Sequence, residues 1–570
     1  MTHAAPHVTH EVLNQVPPLA GYDVADDPAL TQALRREAPP PAHGAGEEGW
    51  QSWQRELHQL GQRAGSAQTQ ELARLANEHP PVLRTHDPRG NRIDEVEFHP
   101  AWHELMATAV GHGLHAAPWF EDTAGAHVAR AAKFYVWAQA EAGHGCPISM
   151  TYAAVPALRH EPRLAGRFEP LLASRTYDPG LRVPDGKAGL LAGMAMTEKQ
   201  GGSDVRANAT RAVPAGDGYQ LTGHKWFCSA PMCDLFLVLA QAPEGLSCFL
   251  LPRVLPDGTR NSMRLQRLKD KLGNRSNASS EVEYDGAFAW LVGEPGRGVT
   301  TIIDMVSATR LDCVLGSAAA MRQACVTAIH YTSIRRAFGA RLAAQPLMAS
   351  VLADLALESQ AATTLAMRLA GAADRAARGD AGELALLRLV LPAAKYWVCK
   401  RTPMVVGEAL ECLGGNGYVE ESGLPRLYRD APLNSVWEGS GNVTALDVLR
   451  ALARSPGSGD ALLAEIDLAA DGDRRLDAFA ARLRRELKEA VAAGAEAQYR
   501  ARRLAGLVAV TLQASLLVRH APRAVADAFC ASRLDPGAAD SGPGAPFGTL
   551  PDGLDLRPIV ARSAPATDCG

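Results

Sequence analysis

The sequence predicts an α+β fold, mostly α, in which one all-β unit separates two helical ones and a basic helical extension follows. Three observations carry this. Helical periodicity holds before about residue 190 and again after Gly298. Short β-like runs divided by turn signals fill the interval between them. After a Ser/Gly/Pro stretch at Ser455–Asp460 the helical pattern resumes with an excess of arginine. A chain of 570 residues exceeds one core. The expected segments are an arm over 1–45, a helical domain over 46–189, a β-barrel or β-sandwich domain over 190–297, a helical bundle over 298–454, a basic helical region over 461–532 and a Gly/Pro-rich tail over 533–570.

Taken in order, the arm ends in Pro39, Pro40 and Pro41 and reads as extended. Trp53, Leu57 and Leu60 recur at helical spacing, and Ala131–Glu141 is a good helix former stopped by Gly143 and Gly145. The β-like runs are Tyr219–Leu221, Leu235–Ala240, Ser247–Leu251 and Ser280–Tyr284, with turns at Ala215–Gly218 and Pro256–Gly258. Ala318–Phe338 reads as one long helix and Leu352–Leu369 as another. The tail from Pro536 to Pro551 reads as loop.

Composition narrows the class. With 47% hydrophobic and 21% charged residues the chain matches a soluble globular protein. The longest apolar run, Val508–Val518, is broken by Thr511, Gln513 and Ser515 and reads as a packed helix, so no membrane partner is expected. Met1–His10 lacks a basic start and an apolar core, which predicts no signal peptide and a cytoplasmic location. The ten cysteines are scattered without a CxxC pair or zinc-type spacing, so thiols rather than disulfides, and no metal site, are expected.

Three segments carry chemistry. Met194–Asp204 (MAMTEKQGGSD) presents hydroxyls and free backbone N–H groups at a Gly-Gly turn, suited to a polyanionic or heterocyclic ligand, although an ordinary turn has the same residues. Arg335–Gly339 (RRAFG) offers a guanidinium fork that pairs well with phosphate oxygens. Asn434–Asn442 sets Glu438 in a Gly/Ser loop, where a lone carboxylate could equally be solvated.

Together these strings resemble the acyl-CoA dehydrogenase superfamily over roughly residues 90 to 450. The resemblance implies FAD as cofactor. It assigns to the flavin Met196, Thr197, Gly202 and Ser203, then Trp226 and Ser229 in the run His224–Ser229. It implies that Arg335 reaches the FAD diphosphate of a neighbouring subunit, that Phe338 belongs to the same signature, and that the glycine turn Leu413–Tyr418 with Gly414 and Gly415 packs by the adenosine half. Trp437, Gly439 and Asn442 complete the flavin set around Glu438, the implied catalytic base. A subset of the family carries its base elsewhere, just before the arginine that opens the long helix after the β domain. That place is Thr309 here, and a threonine cannot act as the base. Glu411 stands where many members carry Gln. The runs Lys271–Ser276 and Glu281–Tyr284 match the end of the family's β domain. A closer resemblance, including His10–Gln15, Leu268–Ser279 and Pro425–Arg429, is to the AidB-like branch of alkylation-response flavoproteins.

The segment Arg474–Arg523 holds eleven Arg/Lys against four Asp/Glu, although the whole chain is at −4. Arg482, Arg484, Arg485, Lys488, Arg500, Arg502, Arg503 and Arg519 are the basic residues that make it a candidate phosphate-binding surface. Leu476, Phe479, Leu483 and Leu487 supply an apolar docking face. A solvated basic helix would look the same; the AidB-like resemblance implies binding of double-stranded DNA without sequence preference, and a homotetramer. The function implied is protection of DNA from alkylation with weak, isovaleryl-CoA-like α,β-dehydrogenation of acyl-CoA. The alternative is a short- or branched-chain acyl-CoA dehydrogenase whose C-terminal extension is structural.

Overall fold

The computed structural model describes residues 9–38, 45–455, 457–535 and 544–566; the Pro39–Pro41 run, Met1–Val8, residues 536–543 and Cys569 lie outside the described residues. The first helical layer comprises α1 (Pro28–Glu37), α2 (Ala45–Ala64), α3 (Ala67–Glu78), a hairpin of β1 (Val82–His86) and β2 (Arg92–Glu97), then α4 (Pro100–Gly111), α5 (Ala126–Ala138), α6 (Gly145–Leu158) and α7 (Pro162–Leu172). The arm is thus not wholly extended. Asp27 caps α1 by accepting from the Ala29 amide at 2.9 Å, Pro28 opens it, and Leu30, Ala33 and Leu34 are buried.

Seven strands form the middle unit: β3 (Ala192–Ala195), β4 (Arg211–Ala215), β5 (Gly218–Ser229), β6 (Leu235–Ala242), β7 (Gly245–Pro252), β8 (Met263–Leu268) and β9 (Ser279–Val292). The strand order is β3-β6-β4-β5-β9-β7, and β6 also pairs with β7, so the sheet closes on itself as a small barrel. β6 and β7 are buried along almost their whole length, which is why they read as continuous apolar runs rather than alternating ones.

The helical bundle follows as α8 (Gly298–Ile334), a short hairpin of β10 (Arg336–Ala337) and β11 (Ala340–Arg341), α9 (Pro346–Ala377) and α10 (Ala381–Cys412). Beyond these come α11 (Leu424–Asp430) and α12 (Gly441–Arg454). The helix expected to reach Phe338 stops at Ile334. Arg335 leaves the helical region with ψ 134°, and Phe338 and Gly339 turn the chain with φ +52° and +81°.

The C-terminal extension, α13 (Ser458–Asp467), α14 (Arg474–Ala493), α15 (Ala501–His520) and α16 (Arg523–Arg533), packs onto α9, α10 and α12. α13 begins inside the expected linker. α15 is buried almost throughout, from Leu504 to Leu517, as a packed helix. On α9, Glu358 accepts from Arg401 of α10 and from Arg533 of α16, each at 3.0 Å, so an internal ion-pair network joins extension and bundle. The tail is not all loop: α17 (Arg557–Ser563) docks against α8 and α9, with Arg322 donating to the Ser563 carbonyl at 2.9 Å. All nine described cysteines are free and buried, and the described residues hold no cluster of metal-binding side chains.

Candidate active site

Glu438 lies in the loop between α11 and α12, at the seam of bundle and barrel. Its backbone is left-handed (φ +56°), a conformation that costs a non-glycine residue energy and persists only where the surroundings impose it. Gly439 follows at φ +98°, and a Cβ there would come within 3.0 Å of Arg310 Nη2, so this position needs glycine. Lys395 of α10, 1% exposed, donates from Nζ to the carbonyls of Asn434 (2.9 Å), Trp437 (2.8 Å) and Gly439 (2.8 Å). One ammonium thereby satisfies three carbonyls of an irregular loop. From α8, Arg310 donates from Nε to the Glu438 carbonyl at 2.9 Å and from Nη2 to Asp447 at 2.7 Å.

The carboxylate itself accepts from the Thr309 hydroxyl at 2.7 Å on Oε2. Burial pushes the Glu438 carboxyl above its ordinary range; the Thr309 hydrogen bond and the charges of Lys395 and Arg310 oppose but do not cancel that shift. Trp437 packs on the barrel core, its Nε1 donating to Asn434 at 2.9 Å. The barrel is also fastened to the end of α11, just before this loop, where the Asn274 amide donates to Asp430 at 2.5 Å.

The predicted flavin residues of the barrel converge. Met196, Thr197, Gly202 and Ser203 lie at the end of β3 and in the turn after it; Trp226 and Ser229 lie on β5. The Trp226 amide donates to the Thr197 carbonyl at 2.8 Å, which registers one segment on the other. A side chain on Gly202 would strike Thr197 Oγ1 at 2.4 Å. The Ser229 and Ser279 hydroxyls face each other at 3.2 Å. Beneath them Lys225, fully buried, donates to Glu198 at 2.8 Å and to the Leu239 carbonyl at 2.8 Å. Burial would raise Glu198, but Lys225 and the Thr210 and Ala209 contacts hold it at about 2; burial lowers Lys225 to about 8.

This donor set fits FAD. Hydroxyls and free amides can meet the ring heteroatoms, Trp226 offers an aromatic wall, and Arg335 is a cation with no carboxylate partner among the described residues. Arg335 and Phe338 sit apart on the β10–β11 hairpin, Phe338 being 97% exposed. Gly414 and Gly415 form an exposed 3₁₀ turn with open space around both. No hydrogen bond or ion pair joins either element to the Thr197–Ser203 and Trp226–Ser229 segments within the described chain.

A cavity of about 890 Å³ lies elsewhere, between the arm near Pro17, α3, the Tyr331 end of α8 and the segment around Asn416 and Glu420. Lys395, Arg310 and Lys225 were not anticipated from the sequence as parts of the site. An isolated Lys in a long helix has no local signal, and only an apolar setting on both sides of Lys395 hinted at burial.

The predicted DNA-binding residues separate. Arg519 donates to Glu465, which also pairs with Arg368, and is committed to the interior of the extension. Arg484 pairs with Asp467, Arg500 with Glu489 and Arg503 with Glu486, while Arg502 donates to Asn442 at 2.8 Å. Asn442 is thus held by the extension. Arg482, Arg485 and Lys488, exposed along α14, have no carboxylate partner among the described residues.

Three family models match the chain: the adaptive response protein AidB N-terminal domain over residues 14–179, the acyl-CoA dehydrogenase middle domain over 193–287 and the acyl-CoA dehydrogenase C-terminal domain over 296–453. The chain is 50% identical over 490 residues to AidB of Escherichia coli (strain K12), provisionally named an acyl-CoA dehydrogenase, covering 84% of this chain and 87% of that one. Acyl-CoA dehydrogenase family member 11 of Caenorhabditis elegans is 34% identical over 455 residues, 77% of this chain and 72% of the relative. The crystal structure of Caenorhabditis elegans ACDH-11 in complex with C11-CoA superposes with a TM-score of 0.84 at 28% identity, covering 94% of this chain and 95% of that one.

Proposed function

Since the chain belongs to the acyl-CoA dehydrogenase family, in its AidB-like branch, we propose that it catalyses FAD-dependent α,β-dehydrogenation of an acyl-CoA thioester with Glu438 as base. The observation that carries this is the carboxyl of Glu438, lifted above its ordinary proton affinity and held by the Thr309 hydroxyl, on a loop whose backbone Arg310 and Lys395 pin. With Oε2 occupied by the Thr309 hydroxyl, Oε1 is the oxygen left to take the α-proton. FAD supplies the acceptor for the β-hydrogen, which leaves with its electron pair. Glu438 ends the step as a neutral acid, the form that burial favours. Thr197, Ser203, Trp226 and Ser229 hold the flavin ring, while Arg335, Phe338 and the Gly414–Gly415 turn serve the flavin of an adjacent copy, which makes the working form an oligomer. A homotetramer accounts for the exposure of Phe338 and Tyr418.

A second reading concerns DNA. Arg482, Arg485 and Lys488 form a basic stripe on the outer side of α14 with no carboxylate partner among the described residues, suited to duplex phosphates rather than base edges. Protection of DNA from alkylation by covering it is the role this stripe supports, with acyl-CoA turnover weak and isovaleryl-like. The competing possibility, a short- or branched-chain dehydrogenase with a structural extension, is favoured by the Glu358–Arg533 and Glu465–Arg519 pairs. Anaerobic titration of the purified holoprotein with isovaleryl-CoA and longer acyl-CoAs, followed by flavin bleaching, tests the first reading. Bleaching by any of them supports it, and a flavin that stays oxidised with all of them refutes it. Duplex binding across a salt series tests the second.

A further inference from the structure

The arm from Asn14 to Gly21 runs along the C-terminal half of α8 and is pinned at several points. The His330 ring bonds the Pro17 carbonyl at 2.9 Å, Gln70 donates to the Leu19 carbonyl at 2.5 Å, and the Gly21 amide donates to the Gly65 carbonyl at 2.8 Å. Its far end closes on the β10–β11 hairpin. Asn14, left-handed at φ +56°, donates from Nδ2 to the Arg336 carbonyl at 2.8 Å and accepts on Oδ1 from the Arg336 amide at 2.9 Å. Arg335 Nη1 donates to the Asn14 carbonyl. One amide side chain therefore takes both backbone groups of Arg336, two residues beyond the end of α8.

A hairpin with two residues per strand has no stability of its own. It nevertheless carries Arg335, Arg336 and Arg341, none with a carboxylate partner among the described residues. Three uncompensated guanidiniums at one tight turn repel each other and call for an anion. Arg335 is the half-buried one, and with one N–H spent on Asn14 it retains four donors.

We propose that Asn14 is a positioning residue for the diphosphate of the flavin: by clipping Arg336 and Arg335 it aims the Arg335 guanidinium at a dinucleotide held by the adjacent copy. This rests on the flavin reading of the hairpin given above. The arm is then part of the cofactor site although it lies outside the barrel.

The test is a double-mutant cycle on the holoprotein, read as the rate at which FAD escapes and its fluorescence rises. Asn14→Gly deletes the amide while keeping the left-handed backbone without strain. Arg335→Ala is expected to speed FAD loss by about 10- to 100-fold, the scale of a charge-assisted hydrogen bond. Asn14→Gly should speed it by about 3- to 10-fold, and adding it to Arg335→Ala should change nothing further. Equal losses in both backgrounds would overturn the positioning role, since Asn14 would then act without Arg335. Unchanged FAD loss in Asn14→Gly beside a fast Arg335→Ala also overturns it while leaving the flavin reading intact. Unchanged FAD loss in Arg335→Ala removes the flavin reading of the hairpin, and the inference falls with it.

Discussion

The Thr309 hydroxyl donates to Oε2 of Glu438 at 2.7 Å, joining α8 to a loop 129 residues further along the chain. The resemblance marks Thr309 as the alternative place for the base in a subset of the family. Here that position holds the hydroxyl that bonds the Glu438 carboxylate.

Removing this bond has a signed consequence. The hydroxyl favours the ionised carboxylate, so Thr309→Val raises the Glu438 pKa further. A base works only when deprotonated, so the acid limb of kcat/KM should move to higher pH. Thr309→Ser should restore the parent profile. A limb that stays put in Thr309→Val would contradict the arrangement.

Glu438→Gln keeps the shape and the Thr309 contact but cannot take a proton. Acyl-CoA oxidation should fall by about 10²- to 10⁴-fold, with the flavin retained at parent stoichiometry. Loss of FAD from this variant would mean that Glu438 serves cofactor binding, which absorbance at the flavin bands reads directly.

Lys395→Met fills the same space without donors and leaves the carbonyls of Asn434, Trp437 and Gly439 unpaired. Chemical denaturation should show a loss on the order of 3 kcal/mol. kcat should suffer more than FAD affinity, because the loop bearing Glu438 is what comes loose. A variant as stable and active as the parent would show that water replaces the ammonium.

Glu198→Ala strands Lys225 beneath the barrel site and should cost about 3–5 kcal/mol. In the parent, Glu198 is held at about 2 against an ordinary value near 4.5, so its folded pKa is depressed. Its contribution is present above the unfolded value and is lost as pH falls from about 4.5 toward about 2. Denaturant midpoints of parent and variant should therefore converge through that acid window and stay apart at neutral pH.

Neutralising Arg482, Arg485 and Lys488 together should weaken duplex binding and flatten its salt dependence by about 0.9 log unit per lost phosphate contact. The Tm should hardly change, since no described carboxylate pairs with them. Arg519→Gln should do the reverse, lowering the Tm by breaking its pair with Glu465 and leaving the salt slope unaltered. Anisotropy across a salt series separates the two, and equal affinity in the triple variant would remove α14 as the contact surface.

The layout was legible because its signals are local. Apolar spacing marked α9 and α15, and the runs at Leu235–Ala240 and Ser247–Leu251 fall inside β6 and β7. Boundaries were less so. The end of α8 depends on Asn14, more than 300 residues away, and α1 depends on a core that α9 supplies.

By itself the sequence determined the helix–barrel–bundle order, the Glu438 loop and the strings that resemble flavin-binding segments, since each is written in neighbouring residues. Only the tertiary structure decided which charges are free. Eleven basic residues between Arg474 and Arg523 look alike in the chain, yet Arg519 is tied to Glu465 while Lys488 faces outward with no carboxylate partner among the described residues. It also chose Lys395, whose three acceptors lie 39, 42 and 44 residues on. The physical reason is that side-chain periodicity acts over one or two turns, whereas the partner of a buried charge is set by packing between elements remote in sequence.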